Sequence, residues 1–116
     1  MSDAVVAAKL FRGLADPTRL QILLALQSGE QRVVDLIGRL GTSQANVSGH
    51  LACLKDCGLV EDRAEGRANY YRLAQPALAT LLRSTETLLA EVGQQVDLCG
   101  NYDPPARPRR ARARPA

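Results

Sequence analysis

Apolar residues recur at three- and four-residue spacing along most of this chain, which is typical of packed α-helices. The spacing predicts five helices, at residues 4–14, 17–28, 33–40, 44–57 and 76–96. Asp16 and Ser43 precede the second and fourth of these segments and can cap them, because their side-chain oxygens accept hydrogen bonds from free backbone N–H groups. Gly41 and Gly58 follow the third and fourth segments and are expected to end them.

The fourth predicted helix and the stretch after it differ from the rest of the chain. The helix has an apolar stripe of Val47, Leu51 and Leu54, whereas its other positions are polar or small. Residues 59–64 and 69–73 are typical of strands and are joined by a turn at 65–67. The expected fold is mainly α with a β-hairpin, in the order of a winged helix-turn-helix with about five helices.

A helix that enters a DNA groove needs a rigid apolar back and a face of hydrogen-bonding side chains. The candidate DNA-binding residues on the fourth helix and the hairpin are Ser43, Gln44, Asn46, Ser48, His50, Arg63 and Arg67. Amide side chains suit adenine edges, serine suits phosphate or any base, and arginine suits the backbone or the minor groove. The alternative is a helical interaction domain in which the same polar residues are simply solvated.

Length and charge restrict the classes of protein further. The 116 residues suit one domain, and the absence of a membrane-length apolar run or a signal-peptide pattern predicts a cytoplasmic protein without membrane contact. Five of the 15 basic residues lie in 104–116, which is expected to be a disordered basic tail, so ten basic groups face twelve acidic ones elsewhere. Bulk charge therefore does not itself point to nucleic acid in the folded part.

The three cysteines form a second candidate site. Cys53 and Cys57 are four residues apart on the fourth predicted helix, so they share a face one turn apart. Cys99 follows the last helix, where a flexible segment could bring it to them. Three thiolates without histidine suit cadmium or lead better than a closed zinc site, with zinc as an alternative. The competing interpretation is that the cysteines are small core residues.

Three segments, ADPTRLQILLAL, TSQANVSGHLACLKDCGLV and EGRANYYRL, resemble in order and spacing the motifs of the ArsR/SmtB family of metal-responsive transcriptional repressors. The resemblance implies a winged-helix homodimer, joined through its first and last helices, that binds double-stranded operator DNA through the fourth helix. A two-fold symmetric protein also suits a palindromic operator, because it contacts two equivalent half-sites.

Within that family, the cysteine pair followed by a C-terminal cysteine is similar to the cadmium- and lead-sensing CmtR branch. The resemblance implies that Cys53 and Cys57 are joined by Cys99 of the partner subunit. The Cys-x-Cys of the arsenic-sensing members is absent here, where the corresponding segment reads QRVVDL. The expected organisation is a DNA-binding and dimerisation domain at 1–98, a metal-ligand segment at 99–103 and the tail at 104–116.

These features predict a repressor that binds operator DNA as a metal-free homodimer and is released by a soft metal ion. The alternative in the same class is a thiol-redox or persulfide sensor, in which Cys53 and Cys57 react themselves. A winged-helix module that binds protein and not DNA is a further alternative. An enzyme is disfavoured, because the pair lacks Cys-x-x-Cys spacing and no catalytic constellation gathers around the one histidine, His50.

Overall fold

The computed structural model describes residues 3–102, and Tyr102 by its backbone alone. The helices in that part of the chain are α1 (Asp3–Leu14), α2 (Pro17–Gln27), α3 (Val33–Leu40), α4 (Gln44–Asp56) and α5 (Pro76–Leu98). The strands are β1 (Gln31–Arg32), β2 (Val60–Glu65) and β3 (Ala68–Leu73), and a 3₁₀ turn follows at Gly100–Tyr102. The predicted helices and hairpin are confirmed with small shifts in their bounds. The predicted tail at 104–116 lies outside the described residues.

Both predicted N-caps are present. Asp16 Oδ1 accepts hydrogen bonds from the backbone N–H groups of Thr18 at 2.8 Å and Arg19 at 3.1 Å. Ser43 Oγ accepts from the backbone N–H of Asn46 at 3.1 Å. Each cap satisfies donors that the first turn of a helix leaves without a partner, so α2 and α4 begin where these two side chains place them.

The sheet contains a strand that the sequence pattern did not indicate. β1 pairs antiparallel with β3, which gives the strand order β1-β3-β2. A two-residue strand is too short to show an alternating pattern, and its partners Tyr70 and Tyr71 lie far along the chain. In the expected hairpin, Arg63 lies opposite Tyr70 and Glu61 opposite Arg72 across β2 and β3. β2 is therefore the outer strand, paired on one side with β3.

The core is built around α2, as the near-continuous apolar surface of that helix predicts. Ile22, Leu23 and Leu26 are buried on it. The other core residues are Leu14, Ala25, Leu36, Val47, Leu51, Leu54, Val60, Leu78 and Leu82. Burial of a large aliphatic side chain contributes about 1.5–3 kcal/mol relative to exposure, so this cluster is the main source of stability. The predicted apolar stripe of α4 is confirmed, and its burial fixes which face of α4 points outwards.

The chain divides into two compact units between Arg83 and Ser84, within α5. The first unit contains α1 to α4, the sheet and the core, and the second contains the rest of α5 and the 3₁₀ turn. Each exposes large apolar side chains, with Phe11 of α1 at 55% and Leu88 of α5 at 54%. Exposed apolar side chains grouped on a helix are typical of interaction faces. None of the described helices combines the length and hydropathy needed to cross a membrane.

Candidate DNA-binding surface and thiol pair

A tight turn of three residues joins α3 to α4. Gly41 adopts a left-handed conformation with φ 69° and donates its N–H to the carbonyl oxygen of Ile37 at 2.9 Å. A side chain with a Cβ is strained in this conformation, so glycine ends α3 and lets the chain reverse. The inner face of α4 then packs on the core through Val47, Leu51 and Leu54. The result is a helix-turn-helix whose second helix is held rigidly from behind.

Ser43, Gln44, Asn46 and Ser48 are exposed, as their predicted role requires. Two of them already have intramolecular hydrogen bonds: Ser43 caps α4, and Asn46 Nδ2 donates to Thr42 Oγ1 at 2.9 Å. Within residues 3–102, the side chains of Gln44 and Ser48 make no such bond. Their hydrogen-bonding groups are thus available to a ligand without first breaking an internal contact.

His50 differs from its neighbours because it is half-buried on the side of α4 nearest the start of α2. Hydrogen bonds from the backbone N–H groups of Arg19 and Thr18 hold the pKa of Asp16 below its usual value, and the charge of nearby His50 adds to this effect. His50 therefore lies close enough to the cap of α2 to stabilise its carboxylate. The predicted contact of His50 with DNA thus falls on a half-buried side chain near the start of α2.

Three of the four positions on the most outward stripe of α4 are small residues, which the polarity of the sequence did not single out, and the fourth is Asp56 at the end of the helix. At about 100° per residue, Ala45, Gly49 and Ala52 lie opposite the buried stripe, and all three are exposed. A Cβ built on Gly49 meets no atom within 4 Å. Small side chains allow a helix backbone to approach base edges closely, and alanine can contact a thymine methyl group. Helical periodicity, rather than residue type, was the signal that could have identified this stripe.

The two wing arginines are in different surroundings. Arg67 lies exposed at the hairpin turn, and no ion pair joins it to another described residue. Arg63 lies within β2 and forms ion pairs with Glu30 at 2.8 Å and with Glu65. Hydrogen bonds from Arg63 hold the pKa of Glu30 below its usual value, and those to Glu30 and Glu65 raise the pKa of Arg63. The predicted phosphate contact of Arg63 would compete with these carboxylates.

Cys53 and Cys57 are both exposed in the last turn of α4. Cys57 is the C-cap residue, and its N–H donates to the carbonyl oxygen of Cys53 at 3.1 Å. Gly58, at φ 78°, and Leu59 then close the helix with hydrogen bonds to Lys55 and Leu54. The interpretation of these two cysteines as core residues is therefore wrong, because α4 buries a different face.

Cys99 belongs to the second unit, where it is half-buried and donates its N–H to the carbonyl oxygen of Val96 at 3.1 Å. Among residues 3–102, no three His, Cys, Asp or Glu side chains are grouped closely enough to hold a metal ion. Cys53 and Cys57 supply two sulfur donors, a set that fits a soft ion in type but not in number. A site based on them needs a further ligand.

A tight helix-turn-helix with an exposed second helix, followed by a two-stranded wing, defines a winged-helix DNA-binding protein. The chain belongs to the ArsR family of bacterial regulatory proteins. The sequence profile of "Bacterial regulatory protein, arsR family" matches residues 16–62. This family, also called ArsR/SmtB, comprises metal-responsive transcriptional repressors, so the family predicted from the three motifs is confirmed.

Two relatives illustrate the similarity. The chain is 39% identical over 92 residues to a probable mercury resistance operon repressor of Streptomyces lividans, a match covering 79% of this chain and 74% of the relative. It is 49% identical over 75 residues to the HTH-type transcriptional regulator CmtR of Mycobacterium tuberculosis, covering 65% of this chain and 64% of CmtR. Both relatives are transcriptional regulators, so the expectation that the protein is not an enzyme is confirmed.

A solved structure shows the same architecture. The homodimeric winged helix-turn-helix DNA-binding domain of a possible ArsR-family regulator from Mycobacterium bovis superposes with a TM-score of 0.68 at 35% identity. The superposition covers 78% of this chain and 89% of that domain. The predicted winged-helix fold is confirmed.

Proposed function

We propose that this protein represses transcription by binding operator DNA as a metal-free homodimer, and that cadmium or lead releases it by binding Cys53, Cys57 and Cys99. The observation that carries the proposal is the place of the first two thiols. Both are exposed on α4, and in a winged helix-turn-helix this is the helix expected to enter the major groove. A ligand held there acts directly on the element that contacts DNA.

DNA recognition rests on α4 and the wing. Gln44 and Ser48 have free polar groups for base edges or phosphate, and the small outward stripe of α4 permits close approach. Ser43 and Asn46 lie at the start of α4, and His50 lies one turn after Asn46. All three are proposed to contact the phosphate backbone of the DNA. Arg67 at the wing turn supplies a cation for phosphate or the minor groove.

Dimerisation is supported by the exposed apolar faces of α1 and α5, which each unit presents separately. The homodimeric state of the related Mycobacterium bovis domain supports the same assignment. Two copies would place two α4 helices for two half-sites of a palindromic operator. The expected compartment of such a regulator is the cytoplasm, where thiols stay reduced.

The metal site would take Cys53 and Cys57 from one α4 and Cys99 of the partner subunit. Thiolate ligands favour soft ions, which supports cadmium or lead over harder cations, with zinc as the closest competitor. When bound, the ion supplies bonds that hold thiolates of both subunits together. The cysteines must lose their protons to ligate, so metal affinity is expected to fall as the pH is lowered.

Release follows if the dimer geometry that brings Cys99 to the α4 thiols places the two α4 helices poorly for adjacent major grooves. The coupling free energy of such a system is typically about 1–3 kcal/mol and is reciprocal. Operator DNA must therefore weaken metal binding by the same factor by which the metal weakens DNA binding. Absence of that reciprocity would contradict the allosteric mechanism.

The test is fluorescence anisotropy with labelled promoter DNA from upstream of the protein's own gene, with and without cadmium, under anaerobic reducing conditions. Wild type is expected to bind the DNA and to be released by cadmium. Cys53→Ser, Cys57→Ser and Cys99→Ser are each expected to bind DNA but to resist release. Ala77→Ser, an exposed position outside α4 and the wing, adds a hydroxyl and removes no thiol; it is the matched control and should respond like wild type.

Release of all three serine variants by cadmium would overturn the proposed site. Failure of wild type to bind promoter DNA even at low salt concentration, where phosphate contacts are strongest, would favour the protein-binding alternative. The redox or persulfide alternative is favoured by the exposure of both α4 thiols. Helical neighbours four residues apart lie about 5–6 Å apart at Cβ, longer than the roughly 3.5–4.5 Å of a disulfide. Release by peroxide or persulfide but not by cadmium, with matching mass changes at Cys53 and Cys57, would establish that alternative.

A further inference from the structure

The side chain of Arg63 forms several polar contacts at once in the first unit. Its Nε lies 3.1 Å and 3.0 Å from the two carboxylate oxygens of Glu30, and its Nη2 lies 2.8 Å from Glu30 Oε1. Nη1 donates to Glu65 on the same strand. The guanidinium carbon lies 4.9 Å from the ring centre of Tyr70, within the range of a cation–π contact. Arg63 is thus held on three sides.

These contacts bridge the sheet. Glu30 lies immediately before β1, whereas Arg63 lies on β2, and the two strands are separated by β3. The guanidinium passes over Tyr70 of β3, which lies directly opposite Arg63. Because no strand within residues 3–102 pairs with the outer side of β2, this bridge is a direct tie from the outer strand of the wing to the loop after α2. The tie constrains the angle of the hairpin relative to the core.

The charge on this face of the wing does not favour phosphate. Glu30, Glu61 and Glu65 contribute carboxylates, while Arg63 and Arg72 contribute the guanidiniums that pair with them. Three negative groups against two positive ones leave no net attraction for a DNA backbone. A contact between Arg63 and phosphate would also leave Glu65 without its ion-pair partner, and Glu30 with only the longer 3.9 Å ion pair to Arg72.

We infer that Arg63 is a positioning residue: through Glu30 it sets the angle of the wing, so that Arg67 at the turn and not Arg63 contacts DNA. The inference rests on the DNA-binding part of the proposed function. It replaces the predicted DNA contact of Arg63 with an internal one. It also assigns a role to Glu30, an acidic residue that a search for DNA-binding side chains would pass over.

Glu30→Gln distinguishes positioning of the wing from a purely electrostatic effect, because the two predict opposite changes in DNA affinity. Removal of a negative charge near DNA strengthens binding if electrostatics alone decides. The inference predicts the opposite, weaker binding, because the wing loses its tie. Anisotropy titrations at several salt concentrations give both the affinity and its salt dependence. Glu30→Gln and Arg63→Gln are expected to bind more weakly with an unchanged salt slope, whereas Arg67→Gln should reduce that slope by about one.

A charge exchange distinguishes positioning from general damage. Made in a Glu65→Gln background, which avoids a pair of like charges on β2, the double variant Glu30→Arg with Arg63→Glu restores opposite charges at both ends of the bridge. It is expected to bind DNA more tightly than either single variant, because interacting residues are non-additive. A phosphate contact by Arg63 predicts no recovery. Circular dichroism of every variant serves as the control for folding.

Hydrogen–deuterium exchange measures the tie without DNA. Amides of residues 60–73 are expected to exchange faster in Glu30→Gln and to slow again in the exchanged pair, while amides of α2 stay unchanged. Tighter DNA binding by Glu30→Gln, or wild-type exchange rates in its wing, would overturn the inference even if the protein is a repressor. If wild type does not bind promoter DNA at all, the proposed function fails. Hydrogen exchange of residues 60–73 in Glu30→Gln still tests the tie in that case, because faster exchange supports it and unchanged exchange overturns it.

Discussion

Lys55 Nζ lies 2.9 Å from Asp62 Oδ1, so the last turn of α4 is joined to the first half of β2. Lys55 lies in the turn that carries both exposed thiols, and Asp62 is next to the wing residue Arg63. The hydrogen bond to Asp62 raises the pKa of Lys55, so the ion pair persists well above neutral pH. A change in that turn of α4 therefore has a direct route to the wing.

The first prediction concerns this route. Lys55→Gln removes a positive charge and Asp62→Asn removes a negative one, yet each breaks the same contact. We expect both variants to reduce the ratio of operator affinities measured without and with cadmium, because less of the change at the thiols reaches the wing. Anisotropy titrations of both variants check this. If the ratio moves in opposite directions in the two variants, net charge and not the contact is responsible.

The second prediction concerns pH. Hydrogen bonds from the backbone N–H groups of Arg19 and Thr18 hold the folded-state pKa of Asp16 below its usual value. The cap therefore stabilises the fold above the pKa of the unfolded chain, and this contribution is lost as the pH falls through the folded-state pKa. Asp16→Ala is expected to lower the free energy of unfolding by about 1 kcal/mol at pH 7, and by less at pH 3. Urea unfolding at the two pH values measures the difference. Asp16→Asn, which retains an acceptor oxygen, should lose little at pH 7, and an equal loss in the alanine and asparagine variants would contradict the capping role.

A third prediction compares two glycines. Gly58 has φ 78° and ends α4, and a Cβ added there meets no neighbour within 4 Å. The cost of Gly58→Ala is therefore due to the backbone conformation, and we expect a loss of about 1–2 kcal/mol in the free energy of unfolding. Gly38, within α3, also has open space around it, so Gly38→Ala should stabilise the protein by up to about 1 kcal/mol. Thermal or urea unfolding that shows the same sign for both would contradict this account.

The fourth prediction concerns the apolar faces. Phe11→Glu in α1 and Leu89→Glu in α5 each place a charge on a face that we assign to the dimer, and each is expected to yield monomers with weakened operator binding. Light scattering coupled to size-exclusion chromatography measures the oligomeric state. Val34→Glu is the matched control, because Val34 is an exposed apolar residue of α3 at 60%. Loss of the dimer in that control as well would mean that the charge acts non-specifically.

The fifth prediction separates packing from sensing on α4. Leu51 is 1% exposed in the core, so Leu51→Ala should lower the free energy of unfolding by about 2–5 kcal/mol. Cys53→Ala, two positions away and exposed, should change it by less than about 0.5 kcal/mol. Urea unfolding of the two variants provides the comparison. A large loss in Cys53→Ala would mean that the thiol takes part in packing after all.

Local patterns predicted most of the fold because the determinants are themselves local. Asp16, Ser43 and Gly41 act on residues within one turn, and the apolar stripe of α4 follows from helical periodicity alone. The same periodicity placed Cys53 and Cys57 together on one face, which the structure confirms as an exposed one. The identity of the cap residues and the helical spacing of the apolar residues and cysteines were sufficient to predict these features.

The features that the sequence pattern did not indicate depend on residues distant in the chain. β1 exists because Gln31 and Arg32 meet β3, and two residues carry no period of their own. Arg63 was predicted to contact DNA because it is a cation on a wing, whereas its partner Glu30 lies beyond two intervening helices. The outward stripe of α4 was missed for a different reason: DNA-binding residues were sought among polar side chains, and alanine and glycine are not polar.

The exposure of Cys53 and Cys57 has a consequence for how such a protein can change over time. α4 packs through Val47, Leu51 and Leu54, and its stability makes no demand on either thiol. Under the proposed function, mutations at these two positions can therefore change the inducer while the core that holds α4 is retained. If the proposed site is correct, the same independence makes these positions suitable for engineering a regulator that responds to a different inducer.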